Sequence, residues 1–173
     1  RLPLPDHRLP SVISLDVIEH VDEPTPYLEE IGRVLRPDGA LALTTPNRFS
    51  LAAEPHVSVW GVGWLPRRCQ RRYAEWRSGM SYEDVRLLSL PELRRLVRRA
   101  SGLEPEVLVP EIPEEEIGRF PPRRKALGRL YNRLVAAPAG RGLIRPVAPF
   151  YRVRAFGADR RGGRPSRREG PAQ

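Results

Sequence analysis

Two short apolar runs on either side of an amphipathic pattern constrain the fold of this chain more than any other feature. SVISLD (11–16) and ALALTTP (40–46) each have the length and apolar content of a buried strand. Between them, TPYLEEIGRVLRPDG places its apolar residues on one helical face and ends in a Pro-Asp-Gly turn. A strand, a helix and a strand joined by short links predict a βαβ unit with parallel strands. The chain is therefore expected to be an α/β protein.

Regular patterns return later in the chain. Ser89 and Glu92 have the spacing of a capping box, which predicts the start of a helix that ends at Gly102. LEPEVLVPEI (103–112) and PFYRVRAF (149–156) are expected to add two more strands. The predicted order of elements is thus β, α, β, then a helix and two further strands.

Three stretches depart from this order. Residues 47–86 have no clean period and are expected to form a lid or substrate-binding insertion. Residues 114–148 are expected to form a helical insertion, and residues 158–173 a disordered basic tail. Within the helical insertion, four apolar residues share one helical face: Leu127, Leu130, Tyr131 and Leu134.

Charge and cysteine content narrow the function classes. The single cysteine excludes an intrachain disulfide and a cysteine-based zinc site, and a cytoplasmic location is expected. The net charge of +9 would suit a nucleic-acid or anionic-membrane partner. Arginines scattered over solvated faces are the favoured interpretation, because they form no compact stripe interleaved with aromatics. The run Arg67, Arg68, Arg71 and Arg72 could contact phosphate or the face of a membrane. A solvated charge run is the alternative.

Several motifs together resemble a known family. DVIEHV (16–21), RVLRPDG (33–39) with a strand and TPNR after it, and the later LSLPELRRLVRRASGLEP are similar to the second half of class I S-adenosylmethionine-dependent methyltransferases. The nearest branch is that of the ubiquinone-biosynthesis O-methyltransferases. The resemblance implies a partial Rossmann-like sheet, strands four to seven of the order 3-2-1-4-5-7-6, with the last-threaded strand antiparallel. It assigns these strands to residues 11–16, 40–45, about 104–109 and 149–156.

One departure from the family pattern affects function. The family's glycine-rich loop after strand one and the acidic residue after strand two have no counterpart here. The chain is therefore expected to begin partway through the fold and to be inactive alone. An open edge on strand four should make the isolated chain marginally stable or prone to aggregation.

Asp16, Glu19 and His20 are the strongest candidate site residues. In a helical turn they share one side, where two carboxylates and an imidazole could bind a divalent cation or act as acid–base groups. The resemblance implies Mg²⁺ at this position, with His20 and Glu19 as catalytic candidates. The alternative is that Glu19 and His20 only support the fold. The resemblance also places Leu15 and Asp16 against S-adenosylmethionine, whereas simple termination of the strand is the other interpretation.

Substrate-binding candidates follow strand five. Asn47 could hydrogen-bond a substrate and Arg48 could pair with an anionic group, although Pro-Asn is also ordinary turn chemistry. In the insertion, His56, Trp60 and Trp64 could contact a flat or lipid-like acceptor and exclude water. Otherwise these aromatic residues would cover the end of the sheet as core.

The function expected from these features is methyl transfer from S-adenosylmethionine to a small-molecule acceptor, with this chain as the C-terminal portion of a longer enzyme. The first alternative is a non-catalytic remnant or binding module. The second is a nucleic-acid methyltransferase, which is disfavoured because no D/N-P-P-Y/F tetrad follows strand four.

Overall fold

Four strands form a mixed sheet in the computed structural model, which describes residues 1–157. They are β1 (Leu9–Leu15), β2 (Leu35–Pro46), β3 (Glu104–Leu108) and β4 (Phe150–Phe156), in the order β1-β2-β4-β3. β1 and β2 are parallel, and β4 runs antiparallel to both of its neighbours. This is the predicted arrangement of strands four to seven, with the last-threaded strand antiparallel. The α/β class and the partial Rossmann-like sheet are therefore confirmed.

Helices connect the strands and fill the insertions. They are α1 (Pro24–Val34), α2 (Arg67–Ser78), α3 (Leu90–Ser101), α4 (Glu114–Arg119), α5 (Pro122–Ala136) and α6 (Pro138–Ile144), with 3₁₀ turns at Ile18–His20, Val62–Trp64 and Arg145–Val147. Among these described residues, no helix has the length and apolar character needed to cross a bilayer.

Helices α1 and α3 pack together on one face of the sheet. Gly32 permits their close approach, because a Cβ at this position would lie 2.6 Å from the backbone oxygen of Ser101. The core beneath them contains Leu28, Ile31, Leu41, Leu43, Leu93, Val97, Tyr151 and Val153. The Ser89–Glu92 capping box is present, and Gly102 ends α3 with a φ of 70°. Helix α1 begins at Pro24, one residue before the amphipathic pattern of residues 25–39.

The opposite face of the sheet is uncovered near β1. Ile13 is 70% exposed and Leu15 is 59% exposed, while Ser14, which points the other way, is buried. Within residues 1–157, β1 pairs only with β2, so its outer edge has no partner strand there. The open edge expected from the sequence is present in the described part of the chain. Its effect on stability stays a prediction.

Two sequence interpretations need correction. Residues 47–86 are less irregular than predicted, because α2 and the turn at Val62–Trp64 form a small second core with Val57, Val59 and Tyr82. In α5 only part of the predicted apolar face is covered: Tyr131 packs against the main core, whereas Leu127 and Leu130 are 65% and 51% exposed. The proposed tail, residues 158–173, lies outside the described residues.

Candidate functional site

The candidate site begins where β1 ends. Asp16, the next residue, has a left-handed backbone with a φ of 51°, which turns the chain away from the sheet. Its backbone N–H donates to the carbonyl oxygen of Thr44 at 3.1 Å, and its Oδ1 accepts from the Thr44 hydroxyl at 2.9 Å. These contacts hold Asp16 at the carboxyl ends of the parallel strands β1 and β2. Asp16 itself stays exposed.

Glu19 lies in the 3₁₀ turn after Asp16 and is almost completely buried. It is 1% exposed, and the hydroxyl of Thr45 donates to its Oε2 at 2.9 Å. Its other oxygen, Oε1, has no hydrogen-bond partner in the described part of the chain. Burial raises the pKa of the Glu19 carboxyl, while its own backbone N–H and Thr45 oppose that shift. A buried carboxylate oxygen without a donor is costly, so it marks a place where a ligand would be favourable.

His20 and His56 meet across the site although 36 positions separate them in the sequence. Their Nε2 atoms lie 3.1 Å apart, and their rings are perpendicular with centroids 4.8 Å apart. His20 Nδ1 lies 2.8 Å from the carbonyl oxygen of Asp84, and His56 Nδ1 lies 2.5 Å from Glu54 Oε1. A carbonyl and a carboxylate accept hydrogen bonds, so each Nδ1 carries the hydrogen. In two neutral rings, both Nε2 lone pairs would then point into the same space.

The ligand atoms of Glu19, His20 and His56 all lie within 4.8 Å of one another. We name these three residues the EHH cluster. Their burial is graded, from buried Glu19 through half-buried His56 to exposed His20, so the cluster is open on one side. Asp16, expected from the sequence to complete the cation site with Glu19 and His20, lies outside this group. The structure brings His56 there instead, because Asp16 turns to Thr44 and the insertion folds back over the end of β1.

The insertion is fastened to the site by backbone and side-chain contacts. The N–H of Arg86 donates to the carbonyl oxygen of Glu19 at 2.7 Å. Glu54 is buried, pairs with Val59 in a short bridge, and accepts the N–H of Val57 with its second carboxylate oxygen at 3.1 Å. Glu54 therefore orients His56 from a fixed position. Val57 and Val59, which Glu54 contacts, belong to the small second core.

Comparisons with known proteins show which sequences this chain is similar to. Residues 1–43 match the family described as "Methyltransferase domain". The ubiquinone biosynthesis O-methyltransferase of Maricaulis maris is 37% identical over 62 residues, which cover 35% of this chain and 24% of that protein. The corresponding enzyme of Cereibacter sphaeroides strain ATCC 17029 is 30% identical over 100 residues, 57% of this chain and 35% of that protein. These matches confirm the resemblance of this chain to the C-terminal part of class I S-adenosylmethionine-dependent methyltransferases.

A solved structure has a similar fold over most of this chain. A crystal structure of an S-adenosylmethionine-dependent methyltransferase from Mesorhizobium loti has a TM-score of 0.54 at 16% identity and covers 90% of this chain and 65% of that one. Alignments to the two ubiquinone biosynthesis O-methyltransferases span only about a quarter to a third of their lengths. The similarity therefore shows the fold of this chain and its resemblance to part of a methyltransferase. The activity of a whole enzyme is a separate question.

Two of the predicted substrate-binding residues use their polar groups in hydrogen bonds within the chain. Asn47 is 1% exposed; its Nδ2 donates to the carbonyl oxygens of Pro146 and Ala148, each at 2.9 Å, and its Oδ1 accepts from Phe49. Arg48 donates from Nε to the carbonyl oxygen of Gly63 at 3.0 Å. Burial lowers the pKa of the Arg48 guanidinium. These contacts fasten the insertion and the end of β4 to β2.

The tryptophans of the insertion lie on its surface. Trp60 and Trp64 are 61% and 49% exposed, and their indole N–H groups donate to the carbonyl oxygens of Leu51 and Ser50. Interpreting them as core is therefore wrong. Their rings are anchored at the polar end, and the Trp64 ring also lies against Phe49, with the ring centroids 5.4 Å apart.

Two arginines of the predicted basic run form ion pairs with glutamates. Arg67 pairs with Glu92 at 2.7 Å, and Arg71 pairs with Glu83 at 3.3 Å.

Two residues of the site were not found from the sequence: Glu54 and Asp84, which hold the imidazoles of the EHH cluster. The only available signal was an acid two positions before His56 on non-helical backbone, which is weak by itself.

Proposed function

We propose that this chain forms the acceptor side of an enzyme that transfers the methyl group of S-adenosylmethionine to a small molecule. The observation that carries the proposal is the EHH cluster, placed directly after β1. In open α/β sheets, ligands bind outside the carboxyl ends of the parallel strands. β1 and β2 are the parallel pair of this sheet, and the similarity of residues 1–43 to a methyltransferase domain supports S-adenosylmethionine as the donor.

The donor would border the end of β1. S-adenosylmethionine supplies a methyl group on a positively charged sulfur. Leu15 and Asp16 fit one side of this donor, because both are exposed and Asp16 offers a carboxylate beside the cluster. No glycine-rich loop of the family pattern occurs in the 173 residues. We therefore expect the chain alone to bind the donor weakly and to need the remaining wall of the pocket.

The acceptor would lie over the open side of the EHH cluster. Methyl transfer is an in-line displacement, so the protein mainly positions the two reactants and excludes water. A hydroxyl acceptor must also lose its proton as its oxygen takes up the methyl group. We propose that His20, with Glu19 behind it, contacts the acceptor oxygen, either directly or through a cation held by the cluster.

Surface aromatics would complete the acceptor pocket. Trp60 and Trp64 present large apolar rings, and such rings stack on flat ligands while they remove water from the reacting centre. His56 would act as a member of the EHH cluster and would not contact the acceptor separately. Asn47 and Arg48 would act as positioning residues, because their polar groups are used within the chain.

Calorimetric titration of S-adenosylmethionine tests the proposal in two proteins. The first is the chain itself, and the second carries at its amino end the glycine-loop half of a related methyltransferase. We expect weak binding to the first and clearly stronger binding to the second, with S-adenosylhomocysteine produced when a catechol is added. His20→Gln should lower turnover at least about tenfold, in the range expected for loss of an acid–base group. A folded extended protein that binds no donor would overturn the proposal.

Other outcomes would favour the alternative functions. Donor binding without turnover on any acceptor class would indicate a non-catalytic binding module. Binding to DNA or RNA that weakens steeply with salt would favour a nucleic-acid substrate. The ion pairs of Arg67 and Arg71 give no support to that second alternative.

A further inference from the structure

We infer that the EHH cluster binds a first-row transition-metal cation of the zinc class, with Glu19, His20 and His56 as ligands. This differs in both its ligands and its metal from the Mg²⁺ site that the family resemblance implies. Mg²⁺ requires oxygen ligands in near-octahedral geometry, usually with several waters. The donor set here contains two imidazole nitrogens and one carboxylate, a combination that suits zinc, cobalt, iron or nickel.

The arrangement of the imidazoles provides the first argument. Each Nδ1 is committed to an acceptor, so each neutral ring directs the lone pair of its Nε2 toward the other across 3.1 Å. Two lone pairs at this distance repel unless a positive charge lies between them. Two nitrogen ligands at about 2.05 Å from a tetrahedral zinc ion lie about 3.3 Å apart. The observed separation is therefore close to that of a bound pair.

The groups behind the imidazoles provide a second, independent argument. Metal-ligating histidines almost always donate their other ring N–H to a carboxylate or a backbone carbonyl, which fixes the tautomer. His56 does so to Glu54, which is 4% exposed, and His20 does so to the carbonyl oxygen of Asp84. Glu54 and Asp84 both lie in the insertion, residues 47–86, and not in the turn that follows β1.

The third ligand is supplied by Glu19. Its Oε2 is occupied by Thr45, whereas Oε1 is buried and has no partner in the described residues. A cation would satisfy this oxygen and neutralise a carboxylate that is 1% exposed. Because His20 is exposed, a fourth coordination position stays open to solvent. Three protein ligands with one open position are typical of catalytic zinc sites.

The test measures cation binding to the metal-free chain and needs neither donor nor acceptor. We expect visible Co²⁺ absorption bands of a four- or five-coordinate ion, displacement of Co²⁺ by one equivalent of Zn²⁺, and no displacement by excess Mg²⁺. A failed methyl-transfer assay would leave this result standing, and the reverse also holds. Zn²⁺ should also raise the thermal midpoint of the chain, because a ligand that binds the folded state stabilises it.

Variants identify the ligands. His56→Gln should weaken Zn²⁺ binding more than a hundredfold, and Glu54→Gln should weaken it about 10- to 100-fold, the range seen when the group behind a ligand is lost. His7→Asn is the matched control: His7 is outside the cluster, and asparagine tolerates its φ of 54°. This variant should bind Zn²⁺ normally. Circular dichroism is the check that each variant is folded.

Three results would overturn the inference. The first is a folded chain that gives no Co²⁺ spectrum, which would indicate that the two imidazoles share a proton. The second is loss of Zn²⁺ affinity in His7→Asn to the same degree as in His56→Gln. The third is competition by Mg²⁺ at concentrations comparable to those of Zn²⁺, which would indicate a site for hard cations such as Mg²⁺.

Discussion

The hydroxyl of Thr45 donates a hydrogen bond of 2.9 Å to Glu19 Oε2, and both side chains are buried at the end of β2. This contact joins the candidate site to the core of the sheet. It explains how a carboxylate can remain inside the protein beside two imidazoles. It also makes the stability of the fold depend on a residue of the site.

Thr45→Val should destabilise the metal-free chain by about 1–3 kcal/mol, because it leaves both oxygens of a buried carboxylate without a side-chain donor. Thr44→Val is the control, since the Thr44 hydroxyl meets the exposed Asp16 carboxylate and its loss should cost less than about 1 kcal/mol. Urea denaturation measures both values. Equal losses would show that Glu19 is not supported by Thr45.

Asn47→Asp should destabilise the chain more than Asn47→Ala does. The Asn47 amide donates to two carbonyl oxygens, and a carboxylate in its place would face both without a donor. We expect a loss of at least about 3 kcal/mol for the aspartate variant, as for an unpaired buried charge. A chain that tolerates Asn47→Asp, measured by chemical denaturation, would contradict the positioning role.

Gly63→Ala should disrupt the attachment of the insertion. A Cβ at Gly63 would overlap the backbone carbonyl of Arg48, which cannot move without breaking the contact between the insertion and β2. Gly118→Ala, inside α4, meets open space and should stabilise the chain by about 0.5–1 kcal/mol through helix propensity. Limited proteolysis should show faster cleavage within residues 47–86 only in Gly63→Ala. Unchanged cleavage there would contradict the packing.

The capping box of α3 should make part of the stability depend on pH. Burial alone would raise the pKa of the Glu92 carboxyl, but hydrogen bonds from Ser89 and Arg67 outweigh it and lower the pKa from 4.5 to about 2. Because the folded pKa is depressed, this stabilisation is present above about pH 4.5 and is lost as the pH falls toward 2.

Glu92→Gln measures this contribution. The difference in unfolding free energy between wild type and variant should be constant near neutral pH and should shrink as the pH falls below about 4.5. A substitution that leaves the carboxylate intact, Ser89→Ala, should cost about 1 kcal/mol at neutral pH. A difference between wild type and Glu92→Gln that does not change with pH would exclude the linkage.

The uncovered side of β1 should drive self-association. Ile13 and Leu15 present exposed apolar side chains beside a strand edge that has no partner within residues 1–157. Ile13→Thr keeps β-branching but removes apolar surface, so it should reduce aggregation in light scattering. Leu143→Thr, on exposed α6, is the comparison and should have a smaller effect. Equal reductions of aggregation in the two variants would indicate that self-association does not occur through β1.

Local sequence determined most of the elements of this protein. The period of the βαβ unit, the Ser89–Glu92 capping box and the glycine that ends α3 act over a few residues, so propensity and patterning predict them directly. The sequence pattern predicts less well which face of an element is buried. The apolar face of α5 has a helical period, yet Leu127 is exposed, because only packing against neighbours selects the face that is buried.

The candidate site was decided by tertiary structure. The β1 turn carries Glu19 and His20 in adjacent positions, and this local pattern was sufficient to single them out. His56 joins them, and Asp16 does not, because the insertion folds back over the end of β1 while the Asp16 carboxylate bonds to Thr44. Contacts between residues 36 positions apart depend on the path of the whole insertion and its small core. No local pattern encodes that path.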